Sequence, residues 1–356
     1  MKFSLFFEMQ IADPTRQSER QLFHDCVAQA KVADELGYHC VWAVEHHGLY
    51  EYAHSSAPEI FLSFVAAQTT RIRIGHGCTL LPHRYNHPIR IAERLATLDI
   101  LSNGRLNWGS AKSASRVELE AFQIERSDTE SQWLEALEII PRIWSSEVFS
   151  HSGRHFNIPP TRVVPKPVQQ PHPPMFAACS DPQRAPGIGR LGLGALNLAT
   201  YHDELLGQHV AAYREAADNA IPIGGGAVTN HFACTPATLV LKDDHRACCA
   251  GLRGANFFMQ AMLHYYGQSR PIGPVNASRG TPSSEEIATF KRRRNTPRSQ
   301  LSSVIGDPES ARESIQRFVD VGVDEVILVM QTGTTPHELV MESIQTFGED
   351  VLPYFV

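Results

Sequence analysis

The stretch "VWAVEHHGLY" at residues 41–50 sets a carboxylate and two imidazoles directly after four apolar residues. A buried run that ends in titratable groups brings them to the edge of a core, where carboxylates and imidazoles hold charge or move protons. Side chains alternate along a strand, so His46 projects to the opposite side from Glu45 and His47 if residues 40–44 are extended. These three residues do not make a compact metal triad. His83 and His87 have a spacing that suits a metal, but "LPHRYNHP" carries two prolines and no helix, and His83 is read as a pocket-lining residue. Gly187, Gly189 and Gly192 satisfy G-x-G-x-x-G, yet the string follows a proline and precedes a strand pattern, so it is read as a turn. No G-x-S-x-G elbow is present, and Cys248 and Cys249 are neighbours in a helical pattern, where side chains point apart. Nucleophilic acyl chemistry has no support.

The elements that must position the "EHH" group follow from periodicity. Short β-branched or aromatic runs occur at 3–7, 40–44, 72–79, 105–108, 175–178, 195–198, 228–233 and 326–330, which predicts eight strands. Helical patterns lie between most of them. Leu22, Phe23, Cys26, Val27, Ala30, Ala33 and Leu36 repeat at three- and four-residue spacing, behind a capping-box match from Ser18 to Gln21 and ahead of a stop at Gly37. Asp307-Pro308 and Thr335-Pro336 predict two further helix starts. Strand and helix alternating in a chain of 356 residues predict a (β/α)₈ TIM barrel filling residues 1–356 as a single domain. Two segments interrupt the rhythm. Proline-rich 157–174 is predicted to be extended, and polar 267–300 reads either as an active-site lid or as a solvated insertion. In such a barrel the ends of the strands face the catalytic mouth, which puts His46 there.

With a net charge of −6, 42% hydrophobic and 20% charged residues, the chain reads as globular and mildly acidic, which disfavours nucleic acid and anionic membranes as partners. Its one dense basic run, Lys291 to Arg294, is local. The opening "MKFSLFFEMQ" is too short for a signal-peptide core and no segment is long enough to span a bilayer, so a cytoplasmic location is expected. Seven cysteines without C-x-x-C spacing predict reduced thiols and no zinc site.

Several blocks together carry a resemblance. "MKFSLFFE", "ADELGYHCVWAVEHH", "IRIGHGCTLLPHRYNHPIRIAERLATLDILSNGRL", "PVQQPHPPMFAACSDPQ" and "IGDPESARESIQRFVDVGVDEVIL" resemble the bacterial luciferase-like flavin monooxygenases nearly end to end. The resemblance implies a barrel of that type with inserted loops. It also implies reduced FMN supplied by a separate NAD(P)H-dependent flavin reductase, reaction with dioxygen to a flavin 4a-hydroperoxide, a small organic substrate, and a homodimer.

Carried over residue by residue, His46 matches the family histidine beside the flavin that acts as a base, a role suited to a near-neutral pKa. Gly77, Cys78 and Thr79 match the strand end that passes beneath the flavin ring, often through a cis peptide, which the resemblance puts at Gly77–Cys78. Ala178, Cys179 and Ser180 match the end of the fifth predicted strand, where the family holds the FMN phosphate. Two departures weaken that phosphate site. Where many members have Gly-x-Gly-Arg-Gly, this chain has "WGSAKSAS", putting Lys112 in place of arginine, and Glu130 aligns with a second phosphate arginine. Lysine is a point donor rather than a bidentate fork, and an inward Glu130 repels phosphate. Two further readings therefore stand beside the FMN monooxygenase: a non-catalytic flavin-barrel partner subunit, and a deazaflavin-dependent oxidoreductase.

Overall fold

Strand-forming runs organise the chain into β1 (Lys2–Phe7), β2 (Cys40–Val44), β3 (Arg73–Leu80), β4 (Leu106–Ala111), β5 (Phe149–Ser152), β6 (Asn157–Thr161), β7 (Met175–Cys179), β8 (Gly194–Leu198), β9 (Phe232–Thr235), β10 (Ala237–Val240), β11 (Ser303–Gly306) and β12 (Glu325–Leu328). The computed structural model describes residues 1–198, 201–267, 271–296 and 299–356. Eight strands close a parallel barrel in the order β1-β2-β3-β4-β7-β8-β9-β12, with β12 returning to β1. This is the expected (β/α)₈ barrel.

Helices α1 (Arg16–Leu36), α2 (Pro58–Gln68), α3 (Pro88–Leu101), α4 (Arg116–Ala121), α5 (Thr129–Ser145), α6 (Ala185–Arg190), α7 (Asp203–Asp218), α8 (Asp244–Tyr266), α9 (Ser284–Arg293), α10 (Pro308–Asp320) and α11 (His337–Asp350) complete the chain. The main core lies between barrel and helices and includes Phe3, Leu5, Phe7, Val41, Ala43 and Trp108, the outward positions of their strands. The barrel interior is filled by Cys40, Trp42, Phe176, Ala233 and Ile327, with Phe6 and Leu196 packed against them. Period-two alternation thus divides β1 and β2 cleanly between two cores. Extended one residue past β1 and two past β2, it aims Glu8 and His46 inward.

The structure departs from the sequence reading at several points. Helix α1 starts one turn earlier than the Ser18–Gln21 match: Thr15 is the N-cap, Ser18 N–H donates to Thr15 Oγ1 at 3.1 Å, and Thr15 N–H donates to Ser18 Oγ at 2.8 Å. Gly37 ends the helix in the left-handed region, at φ 83°. The run at 228–233 yields a strand only from Phe232, because pairing of Ala195 with Phe232 fixes where β9 begins. The glycine string at 187–192 is partly helical, since Pro186 occupies the first turn of α6, where a missing N–H is harmless. Pairing also creates a β5–β6 hairpin and a β10–β11 pair outside the barrel. Within 157–174 only β6 is regular, and the rest is irregular, with bends at 168–171 and 173 and cis bonds at Val164–Pro165 and Gln170–Pro171, so the segment is extended only in part.

The described parts of segment 267–300 pack against the body. It contains α9, closed by a capping box between Ser283 and Glu286, and Ile287 is buried against Cys248 and Ile305. Val275 N–H donates to Glu51 Oε1 at 3.1 Å, and Arg279 donates to the Ala12 carbonyl at 2.9 Å. Residues 268–270 and 297–298 of this stretch lie outside the described residues. The basic run is engaged locally, with Lys291 and Arg294 both paired to Asp244. Among the described residues no helix is long and apolar enough to cross a membrane.

Candidate active site

His46 follows β2 and is held between two buried carboxylates. Its Nδ1 lies 3.0 Å from Glu118 Oε1, and its Nε2 lies 3.1 Å from Glu8 Oε1. Glu8 is the first residue after β1 and Glu118 is on α4; both are sealed from solvent. A carboxylate oxygen near each ring nitrogen, Glu118 in a hydrogen bond and Glu8 in charge contact, favours the doubly protonated imidazolium. The electrostatics agree. Burial acts to lower the pKa of His46, but Glu118 and Glu8 outweigh it and raise it to about 10. Glu118 is held below the ordinary carboxylate range: burial pushes it up, yet the His46 charge, Ser113 and the His47 N–H more than offset that. The near-neutral pKa expected of His46 is thus corrected: Glu118 and Glu8 raise it and favour the charged ring at neutral pH.

Aromatic side chains wall this centre. The Tyr52 and Tyr266 rings stand edge-on to His46 at 5.8 and 6.0 Å, the Tyr266 hydroxyl lies 3.2 Å from Nδ1, and Phe258 packs on Tyr52. Burial raises both tyrosine hydroxyls well above their usual range, so both stay neutral. Glu45 and His47 turn the other way, as alternation predicts. Glu45 accepts from Leu80 N–H at 2.8 Å and Asn86 Nδ2 at 2.9 Å and faces His47 at 3.3 Å, tying the end of β2 to the end of β3.

At the β3 end the register shifts between His76 and Thr79, and the strand bulges there. Among the described residues the cis peptides are both before proline, so the Gly77–Cys78 bond is trans and the expected cis bond is absent. A Cβ on Gly77 would meet the Ala43 carbonyl and the Trp42 ring, each at 3.3 Å, tighter than an ordinary contact, so barrel packing itself favours glycine. Thr79 is buried and engaged, accepting from Trp108 Nε1 at 3.0 Å and lying 3.1 Å from His76 Nδ1. Cys78 is half-buried, and burial pushes its thiol upward, as do Glu8 and Glu45. At the β7 end Ala178 and Ser180 are exposed, whereas Cys179 is buried in the main core with its thiol toward the Asp181 carbonyl. Only the Cys179 backbone is available to a ligand.

Lys112, just past β4, pairs with Glu130 in the first turn of α5, and its ammonium lies 5.6 Å from the Trp133 ring centre. Arg184, in a short 3-10 turn at Pro182–Arg184 after β7, approaches the same Glu130 Oε2 at 3.8 Å. Arg184 was not singled out by the sequence, and neither were Glu8 and Glu118. A signal existed only for Glu8, as the polar residue that ends the β1 run. His83 is exposed and anchored to Gln132 at 3.0 Å, and His87 N-caps α3 through its ring, so neither lines a closed pocket. Among the described residues no cluster of three or more His, Cys, Asp or Glu is placed to hold a metal.

Residues 1–325 match the luciferase-like monooxygenase family. The chain belongs to that family. A luciferase-like relative in Acinetobacter baylyi, the oxygenase component of flavin-dependent trigonelline monooxygenase, is 34% identical over 369 residues, covering 100% of this chain and 96% of that protein. A solved monooxygenase from Streptomyces bottropensis superposes with a TM-score of 0.83 at 25% identity over the whole of both chains. The oxygenating constituent of 3,6-diketocamphane monooxygenase from Pseudomonas putida, solved in complex with FMN, shares the fold at a TM-score of 0.76 and 18% identity, over 100% of this chain and 99% of that one. Membership makes this chain a luciferase-like flavin-dependent monooxygenase, with His46 at the end of the barrel where such folds keep their chemistry.

Proposed function

We propose that the chain is the oxygenase component of a two-component system, taking reduced FMN from an NAD(P)H-dependent flavin reductase and using dioxygen to oxidise a small organic substrate. The observation that carries this reading is the pairing of two features at one mouth. Lys112 and Arg184 reach from the ends of β4 and β7 to a single carboxylate oxygen, and His46, at the end of β2, is a caged imidazolium. Two cations around one carboxylate fit a phosphate group, because a carboxylate offers the same acceptor chemistry. Lys112, Arg184 and Ser180 would hold the phosphate, with the backbone of Ala178 and Cys179 beside it, and Gly77, Cys78 and Thr79 would flank the ring system. Reduced flavin, when bound, supplies the electrons that activate dioxygen.

The chain's own residues act around that chemistry. His46 is the proposed catalytic residue: a cation held by Glu118 and Glu8 stabilises negative charge that develops beside it. Tyr52, Tyr266 and Phe258 keep water from the imidazolium. The relative's substrate makes trigonelline the first compound to test. Ile60 and Phe64, one turn apart and exposed on α2, and Leu101 on α3 give an apolar face suited to a homodimer. Anaerobic titration tests the cofactor: reduced FMN should bind and reduced F420 should not, and the reverse order would overturn the FMN reading.

A further inference from the structure

We propose that Glu130 is an exchangeable internal anion occupying the flavin phosphate subsite, and that Arg184 is a phosphate ligand replacing the arginine absent at position 112. This rests on the FMN reading above. Lys112 and Arg184 come from different strand ends, 72 residues apart in sequence, yet approach the same oxygen, Glu130 Oε2. Cations brought from separate elements to one point repel each other unless an anion lies between them, and Glu130 is that anion. Its place in the first turn of α5 adds the positive end of a helix to the two side chains. Lys112 is steadied over Trp133, and Trp133 is itself fixed by donating from Nε1 to Ser110 Oγ at 3.1 Å. The cation side of the subsite is therefore built.

The carboxylate is the weakly held partner. Glu130 is 56% exposed and Arg184 63% exposed, and ion pairs in that setting contribute little. A phosphate brings more charge and three acceptor oxygens, so it can take over both cations while Glu130 turns to solvent. The displaced carboxylate still lies close and opposes the newcomer. Glu130 therefore lowers the preference for a phosphorylated flavin, whereas Arg184 raises it.

Anaerobic titrations of reduced FMN and reduced riboflavin, on the unmodified protein and on Glu130→Gln, Arg184→Gln and Arg184→Lys, test this without any turnover. All three substitutions are at exposed side chains, and equal riboflavin affinity across the set reports an intact ring site. The unmodified protein should prefer FMN by about tenfold. Glu130→Gln should widen the preference to roughly a hundredfold, Arg184→Gln should bring it near parity, and Arg184→Lys should keep part of it. Riboflavin affinity should not move. If both flavins bind but the preference is unchanged in Glu130→Gln or in Arg184→Gln, the assignment of that residue is wrong while the FMN reading stands. If neither reduced flavin binds, the FMN reading fails and this inference falls with it.

Discussion

Glu118 Oε1 accepts from both His46 Nδ1 at 3.0 Å and the His47 backbone N–H at 2.9 Å, so one buried carboxylate sets the charge of the ring and the path of the chain beyond β2. With Glu8 at the other nitrogen, the imidazole cannot release its charge near neutrality without stranding a buried carboxylate. The family position is retained, but its occupant behaves as a fixed cation.

Loss of that cation should be felt directly in turnover. His46→Ala is expected to lower coupled substrate oxidation by on the order of a hundredfold, the usual size when one preorganised charge-stabilising group is removed. Steady-state assays with an excess of flavin reductase measure it, and full activity in a folded variant would remove His46 from the mechanism.

Dependence on pH follows from the clamp. His46 stays charged until pH approaches about 10, so activity governed by it should be flat through neutrality and fall only on the alkaline side. In Glu118→Gln one of the two carboxylate charges is gone, and the alkaline limb should move down by about one to three pH units. Stability obeys the same sign. A folded-state pKa above the unfolded value of about 6.5 gives a contribution complete below that pH and lost as pH rises towards about 10. A limb near pH 6.5 in the unmodified protein would contradict the clamp.

How far these relations were legible in sequence depends on their range. Eight strand runs and their alternation were enough to predict the barrel and to turn His46 away from Glu45 and His47, because that information is local to each strand. The charge of His46 was not legible, since it depends on Glu118, 72 residues further on, and on Glu8 from another strand. Gly77 is also kept small by Trp42 and Ala43 on the neighbouring strand, a constraint that its own strand's sequence does not carry. Arg184 follows a turn with no periodic signal, and only the closure of β4 onto β7 brings it to Glu130.

At the opposite end of the barrel, Glu325 offers a control separate from the active site. It is fully buried, accepts from Ser4 Oγ at 2.5 Å and Trp42 Nε1 at 2.8 Å, and lies 2.8 Å from His231 Nε2. Burial pushes its pKa up, but His231, His39 and Ser4 outweigh this and hold it at about 2. Its contribution is therefore present above the unfolded carboxylate value of about 4.3 and lost as pH falls through about 2. Glu325→Ala should destabilise by roughly 3–5 kcal/mol in urea unfolding, while reduced FMN still binds the folded fraction. Unchanged stability would refute this account of the barrel floor.

The central claim is that this chain transfers an oxygen atom from dioxygen with electrons from reduced FMN. The measurement is isotopic: the protein, a flavin reductase, NAD(P)H, FMN and trigonelline, followed by a panel of small organic substrates, are incubated under ¹⁸O₂ and the products are weighed by mass spectrometry. The account predicts one ¹⁸O atom in the product, dependent on FMN and lost in His46→Ala. Substrate oxidised without ¹⁸O, with oxidised F420 as the hydride acceptor and no oxygen consumed, would contradict it.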